Sequence, residues 1–544
     1  MTSEPERRTP LRTFFLYGLL GGTIANIGSY VGATLLGLPY PPEAVFQLLI
    51  APVPGSIQSI VVETFREYAK YGTFAVTAIA YTFLYGIIAV LAGALSNTNV
   101  LTGGKRFLLF ATAIPTLIGL GFQALLAQRF SMLSSLAGWL IAAILMVTVN
   151  FAYAAILNDT THRRSTLFLA SSPKGGIRRQ DLPTARRGFL KKAAITVAVL
   201  AVGGIVARFG TSLFSGQPVV RSNTPIPING QNPLISPSDL PQIFRDPRIS
   251  DLVGSEVTDN RAFYRVDINP ISPDLNFDQW SLMIKGKVKN PIVIDREALL
   301  AMPATDQFAT LECVSNTINP PGALISNAKW TGASLASLLK EAEVTADARS
   351  VVFRCADGYT VGIPLERAML AGSLLAYKMN DEYLPREHGS PLRAIVPGIY
   401  GMMNAKWITE IELTDSVYLG YWQERGWSND AKIKTTSIIY YPVADAEITG
   451  TVPIAGVAFA GDRGIRKVEV STDGGNTWHE AKIKNPKSDY SWVLWAYEWT
   501  PDSAGAREIQ VRTTDGLGQL QDPAPVPSFP DGASGYHSVR VRVT

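Results

Sequence analysis

Cysteine is scarce: the 544 residues hold two, Cys313 and Cys355, far apart in sequence. That excludes a disulfide framework, a four-cysteine zinc site, a cysteine-ligated iron–sulfur cluster and a Cys-x-x-Cys-His haem attachment within the chain. Histidine is nearly as rare, with only His162, His388, His479 and His537. Charge is thin as well. Charged residues make up 17% of the chain, against about a quarter in ordinary soluble domains. The net charge of +4 is too small to mark a nucleic-acid partner. What is abundant is apolar: 47% of residues, which excludes disorder and points to membrane segments.

The apolar excess lies at one end. Stretches 13–37, 72–95, 107–127 and 132–157 each approach the roughly 20 residues that span a bilayer, and small residues among them let helices pack closely. A further apolar stretch, 44–65, carries Pro52, Pro54 and Gly55 in its middle, so it reads as re-entrant or interfacial. With four spans, the clusters Arg7/Arg8/Arg12, Lys105/Arg106 and Arg163/Arg164 fall on one side of the membrane, as the positive-inside tendency requires. The four stretches contain no histidine, which argues against a bis-histidine haem inside the bundle.

A basic loop leads to Ala185-Arg186-Arg187-Gly188-Phe189-Leu190-Lys191-Lys192 and an apolar run, 193–206. This resembles a twin-arginine export signal; the alternative is a basic flank on another membrane helix. Export would leave an anchor helix in the membrane and place everything beyond about residue 210 outside a bacterial cell. The expected organisation is a helical membrane bundle over 1–165, a loop with signal and anchor over 166–210, and a Pro/Ser/Asn-rich linker over 211–250. A mixed α+β catalytic domain follows over 251–430, then an all-β, immunoglobulin-like sandwich over 431–544. Strands are expected at 280–288, 308–314, 351–355, 394–396 and 408–413, and a helix at 334–343 with Leu335, Leu338 and Leu339 on one face. In the last segment, strands at 492–499, 508–513 and 539–543 accompany a hairpin turn at Asp473-Gly474-Gly475-Asn476.

Cys313 closes a predicted strand in Thr310-Leu-Glu-Cys-Val-Ser-Asn316, before the loop Asn319-Pro-Pro-Gly322. A thiol there can present a thiolate to a soft metal or act as a nucleophile. It can equally be a buried packing residue, and spacing does not separate the two.

Four further patterns bear on that choice: Phe263-Tyr264-Arg265; the Cys313 stretch with Trp330-Thr-Gly332; Tyr359 through Pro364 with Leu375-Ala-Tyr-Lys-Met-Asn380; and Leu384-Pro-Arg-Glu-His-Gly389 through Arg393 to Val396-Pro-Gly-Ile-Tyr-Gly401 and Lys406-Trp407. In order and spacing they resemble the sulfite oxidase family of molybdenum enzymes, most closely its bacterial membrane-anchored branch. Val468 through Trp478 resembles that family's dimerisation sandwich. The resemblance implies a molybdenum–molybdopterin cofactor with Cys313 as the protein ligand to the metal. It implies cofactor binding by Asn316, His388, Arg393, Gly398, Gly401 and Lys406; a phosphate suits the guanidinium fork and the compact ammonium charge. Tyr359, Arg265 and Arg463 match residues of the substrate pocket, and Cys355 reads as packing.

The implied activity is two-electron oxygen-atom transfer on sulfite or a related small oxyanion, with electrons passing to an external redox protein or to quinone, and a homodimer through the C-terminal domain. Where animal and plant members carry an arginine pair after the motif Asn, this chain has Thr317 and Ile318, and the anion pocket loses positive charge. Two alternatives therefore stand: a reductase of sulfoxides or another oxo substrate, and a non-enzymatic tethered scaffold that keeps the fold.

Overall fold

The computed structural model describes residues 11–36, 40–42, 46, 50, 53–58, 67–97, 113–117, 150, 241–269 and 271–544. The expected spans at 107–127 and 132–157, apart from 113–117 and 150, lie outside them, as do the basic loop, the twin-arginine-like motif, the anchor helix and the 211–240 part of the linker. The chain forms two compact units, one of residues 1–52 and 70–227, the other of Val53–Ala69 and Ile228–Thr544.

In the first unit, α1 (Leu11–Leu36) and α2 (Glu67–Asn97) correspond to the first two expected spans. Both are predominantly apolar along their length. Glycines bring them together. A Cβ on Gly18 would lie 2.6 Å from Ala89 Cβ, and one on Gly22 2.6 Å from Tyr85 Cβ. Asn26 Nδ2 donates to Ala78 O at 3.0 Å, and Tyr85 donates to Asn150 Oδ1 at 2.8 Å. Small residues in close approach with polar cross-links are the helix-pairing device of apolar surroundings. Among the described residues, one helical segment, Ala75–Leu95, is long and apolar enough to cross a membrane.

The second unit begins with two β-sheets. β1 (Ser281–Gly286) and β2 (Ile292–Asp295) precede β3 (Ala304–Glu312) and β4 (Ile325–Ser334). After α3 (Leu335–Glu341) come β5 (Ser350–Cys355), β6 (Thr360–Pro364), β7 (Leu374–Met379), β8 (Glu382–Tyr383), β9 (Arg393–Ile395) and β10 (Ile408–Thr414). One sheet has the order β2-β1-β10-β5-β6; the other runs β3-β4-β7-β8, with β9 beside β7. α3 buries Leu335, Leu338 and Leu339, its predicted face, and Ser334 caps it by accepting from Ser337 N. A continuous core runs through the first sheet and the loops above it, with Leu282, Phe353, Val361 and Ile411 fully enclosed.

The remaining strands form a two-sheet sandwich: β11 (Thr436–Tyr441), β12 (Glu447–Ile448), β13 (Val452–Phe459), β14 (Ile465–Ser471), β15 (His479–Glu480), β16 (Lys482–Ile483), β17 (Val493–Trp499), β18 (Gly505–Asp515) and β19 (His537–Val543). The sheets are β11-β13-β17-β16 and β12-β19-β18-β14-β15, packed around Ile454, Val468, Trp495 and Ile509. The Asp473 turn joins β14 to β15 as the turn residues predict, with Gly474 and Gly475 both at positive φ.

Candidate active site

The loops at the ends of both sheets of the α+β domain converge on one cavity. Cys313 directly follows β3, Tyr359 sits in the β5–β6 turn, His388 lies between β8 and β9, Arg393 opens β9 and Lys406 precedes β10. All five line the cavity, together with Gly401. A strand end is rigid while the loop beyond it is exposed, so such positions hold side chains accurately at a cleft.

Cys313 is held by its backbone, N–H donating to Leu324 O at 2.9 Å. Its Sγ lies 3.1 Å from Ser315 Oγ. Burial pushes the thiol up and the Ser315 contact opposes that shift. A metal that binds it must displace the thiol proton. Cys355 is also buried, and its thiol is pushed well up by burial and by the nearby Asp357. It does not line the cavity.

Arg393 is buried with its guanidinium 4.8 Å above the Trp330 ring. Nη1 donates to His388 O at 3.0 Å, while Nε is buried with no hydrogen-bond partner. Such an orphan donor is costly unless a ligand receives it. Burial lowers the guanidinium to about 10, still charged at neutral pH. His388 Nε2 lies 2.6 Å from Asn260 O and so carries its proton there. Burial first, and then Arg393, lower its pKa to about 4, which leaves the ring neutral. Lys406 Nζ is paired with Asp267 and donates to Glu387 O at 3.2 Å, so much of its charge is already balanced. Tyr359 donates its hydroxyl to Met402 O at 2.6 Å, and burial raises its pKa well above the ordinary value, which keeps the proton on Oη. Gly401 has no room for a side chain: a Cβ there would lie 2.3 Å from Tyr264 Oη.

Four expected site residues are not among the residues that line the cavity. Arg265 is not among the lining residues, and its Nε sits 3.7 Å from Asp267. Arg463 belongs to the sandwich: Nε donates to Asp515 at 2.8 Å, Nη1 to Ile433 O and Nη2 to Thr435 Oγ1, each at 3.0 Å. Asn316 holds the Cys313 loop, donating to Glu312 Oε1 at 2.9 Å and accepting from Leu324 N at 3.2 Å. Gly398, at φ +83°, shapes a turn against Asp462. Of the arginines among the described residues, Arg393 alone lines the cavity.

Residues that sequence reasoning left out also line it: Asp267, Asp357, Trp422, Trp427 and Gln58. Asp357 is held up at about 6 by burial. The aromatic run after Tyr418 was the available signal for Trp422 and Trp427. Gln58 had none, because it lies more than 250 residues from Cys313 in the chain.

Residues 269–422 match the oxidoreductase molybdopterin binding domain family, and residues 428–542 match the Mo-co oxidoreductase dimerisation domain family. The chain is 28% identical over 366 residues to the mitochondrial sulfite oxidase of Drosophila melanogaster, covering 57% of this chain and 63% of that protein. It is 30% identical over 341 residues to the mitochondrial sulfite oxidase of Macaca fascicularis, covering 54% and 59%. With the Arabidopsis thaliana sulfite oxidase it shares 29% over 335 residues, 51% of this chain and 85% of the relative. The chain thus spans less than two thirds of the length of the two animal relatives.

Proposed function

The chain belongs to the sulfite oxidase family of molybdopterin oxidoreductases, and from that premise we propose that it transfers an oxygen atom, with two electrons, to or from a small substrate. The observation that carries this reading is the Cys313 thiol at the end of β3, in a cavity also lined by Arg393, whose Nε is buried without a partner. The donor set fits the cofactor. Cys313 supplies a soft thiolate for molybdenum, Arg393 a charged fork for a phosphate, and neutral His388 and Lys406 lie beside it. Bound there, the molybdenum cofactor supplies the two-electron oxygen-atom chemistry.

The protein's own groups set the conditions. Tyr359 keeps its proton on Oη and commits it to the Met402 carbonyl at the cavity wall, which fixes the ring and leaves the oxygen lone pairs as acceptors. Trp422 and Trp427 line the cavity with indole surface. Asp267 and Asp357 offset the charge of Lys406 and Arg393. With Arg463 held in the sandwich and Arg265 set against Asp267, the cations that line the cavity are Arg393 and Lys406, and lining carboxylates offset them. This favours a neutral oxo compound, such as a sulfoxide, over the sulfite dianion. Steady-state turnover of methyl sulfoxides with an electron donor, against sulfite with an acceptor, decides between them. Faster turnover of sulfite would restore the oxyanion reading.

The membrane-anchored, outer-face location belongs to the same proposal. It is supported by the apolar N-terminal stretches, the glycine-mediated pairing of α1 and α2, and the Arg186-Arg187 motif. An external redox protein or quinone would exchange the electrons, and the C-terminal sandwich would pair two copies. Protease protection of the N-terminal region in sealed vesicles, with residues 251–544 accessible from one face, tests the arrangement.

A further inference from the structure

The stretch expected to lie re-entrant or interfacial contributes to the catalytic unit. Residues 53–58 form one turn after Pro54, with Ile57 N and Gln58 N donating to Pro54 O at 3.0 and 3.1 Å. Gly55 packs so tightly that a Cβ would lie 2.4 Å from Arg425 O, 2.8 Å from Phe529 and 3.2 Å from Trp427 Nε1. Gln58 is 9% exposed and lines the same cavity as Cys313, Trp422 and Trp427. Its carboxamide is oriented by donation from Nε2 to Val53 O at 2.8 Å. Trp427 lines the same cavity and its indole Nε1 lies beside Gly55 of this turn; the residue is 6% exposed and its N–H is buried without a partner.

We propose that residues 53–58 are a built-in wall of the catalytic cavity, and that Gln58 and the Trp427 N–H together position the oxygen of a neutral substrate. The inference rests on the oxygen-transfer reading above and deepens it. A buried indole N–H with no partner costs free energy that an accepting oxygen recovers. A carboxamide fixed by its own turn is a preorganised neighbour for that oxygen. Neither group carries charge, which matches a sulfoxide-type dipole better than a dianion. The wall also explains why Gly55 has no side chain: the carbonyl of Arg425 occupies the space.

The test uses the full chain in detergent, loaded with its cofactor, and dimethyl sulfoxide as the probe. Trp427→Phe keeps the aromatic packing and removes the N–H; Gln58→Ala removes the carboxamide. Each is expected to raise KM for dimethyl sulfoxide about five- to tenfold, the worth of roughly one hydrogen bond, with kcat changed less and molybdenum content unchanged. Gln58→Asn is expected to recover part of the loss. A second readout needs no turnover. In cofactor-free protein, Gly55→Val should displace the wall and raise the rate of Cys313 alkylation several-fold, with Cys313→Ser as the control for Cys355. Unchanged KM in both single variants, together with an unchanged alkylation rate, overturns the proposal. Loss of molybdenum from the wild-type chain would instead overturn the reading on which it rests.

Discussion

Arg393 Nη1 donates to the carbonyl oxygen of His388 at 3.0 Å, which ties the start of β9 to the loop that precedes it and fixes the guanidinium at the cavity wall. The guanidinium cannot move without leaving the Trp330 ring it covers. It is a fixed, buried cation whose Nε still lacks a hydrogen-bond acceptor within the folded chain.

Arg393→Met, which keeps the apolar stem against Trp330, should lower the molybdenum content of the purified protein to about a tenth or less. The basis is the loss of a charged hydrogen bond worth about 1.5–3 kcal/mol. Arg393→Lys should fail to restore it, because an ammonium lacks the planar fork. Metal content measured by mass spectrometry checks both. Full occupancy in either variant would remove Arg393 from the cofactor site.

Arg463 holds three partners in the sandwich, among them Asp515, whose side chain is 1% exposed. Arg463→Gln leaves that carboxylate buried without its cation and should cost on the order of 3 kcal/mol, read by denaturant unfolding. KM for substrate should stay within about twofold. A large change in KM with stability intact would return Arg463 to the substrate pocket.

Glu312 is buried beside Cys313, and burial raises its pKa from 4.5 to about 7. The native carboxyl keeps its proton where the unfolded one has lost it. Its contribution to stability is therefore full below about 4.5 and is lost as pH rises through about 7. Glu312→Gln, which keeps the acceptor for Asn316, should stabilise the protein above pH 7 by up to about 3 kcal/mol and change little at pH 4.5. Melting temperatures at the two pH values report the sign, and equal effects at both would contradict it.

His537 shows the opposite linkage. Its Nδ1 accepts from Ile439 N at 3.0 Å, a bond that requires the neutral ring, and burial lowers its pKa from 6.5 to about 4. The native state resists the proton that the unfolded state takes up below 6.5. Its stabilising effect is complete above that value and fades as pH falls toward 4. His537→Gln should flatten the acid side of the stability curve in that window. An unaltered acid limb would show that His537 is not the group responsible.

Much of the fold was legible where local chemistry and tertiary packing agree. β5 and β10 carry alternating or continuous apolar residues, α3 shows its leucine face, and the Asp473 turn has the residues its backbone demands. Cys313 was placed at a strand end because the Asn319-Pro-Pro-Gly322 loop interrupts the pattern just beyond it. β4 (Ile325–Ser334) gave no such signal, since it buries Asn327, whose amide bonds to Thr310 and Glu256 appear only on folding. Arg265 and Arg463 were assigned by motif, but long side chains are directed by their partners: Asp515 holds Arg463 in the sandwich, and Arg265 sits against Asp267 at the cavity edge. Gln58 reaches the site through chain topology, which no local pattern encodes.

The central claim is that Cys313 holds molybdenum. Elemental analysis of the purified full chain should find about one molybdenum per chain in the wild type and in Cys355→Ser, and none in Cys313→Ser of unchanged circular dichroism and melting behaviour. Equal molybdenum in the Cys313→Ser protein, or none in the wild type after expression with cofactor synthesis intact, would contradict it.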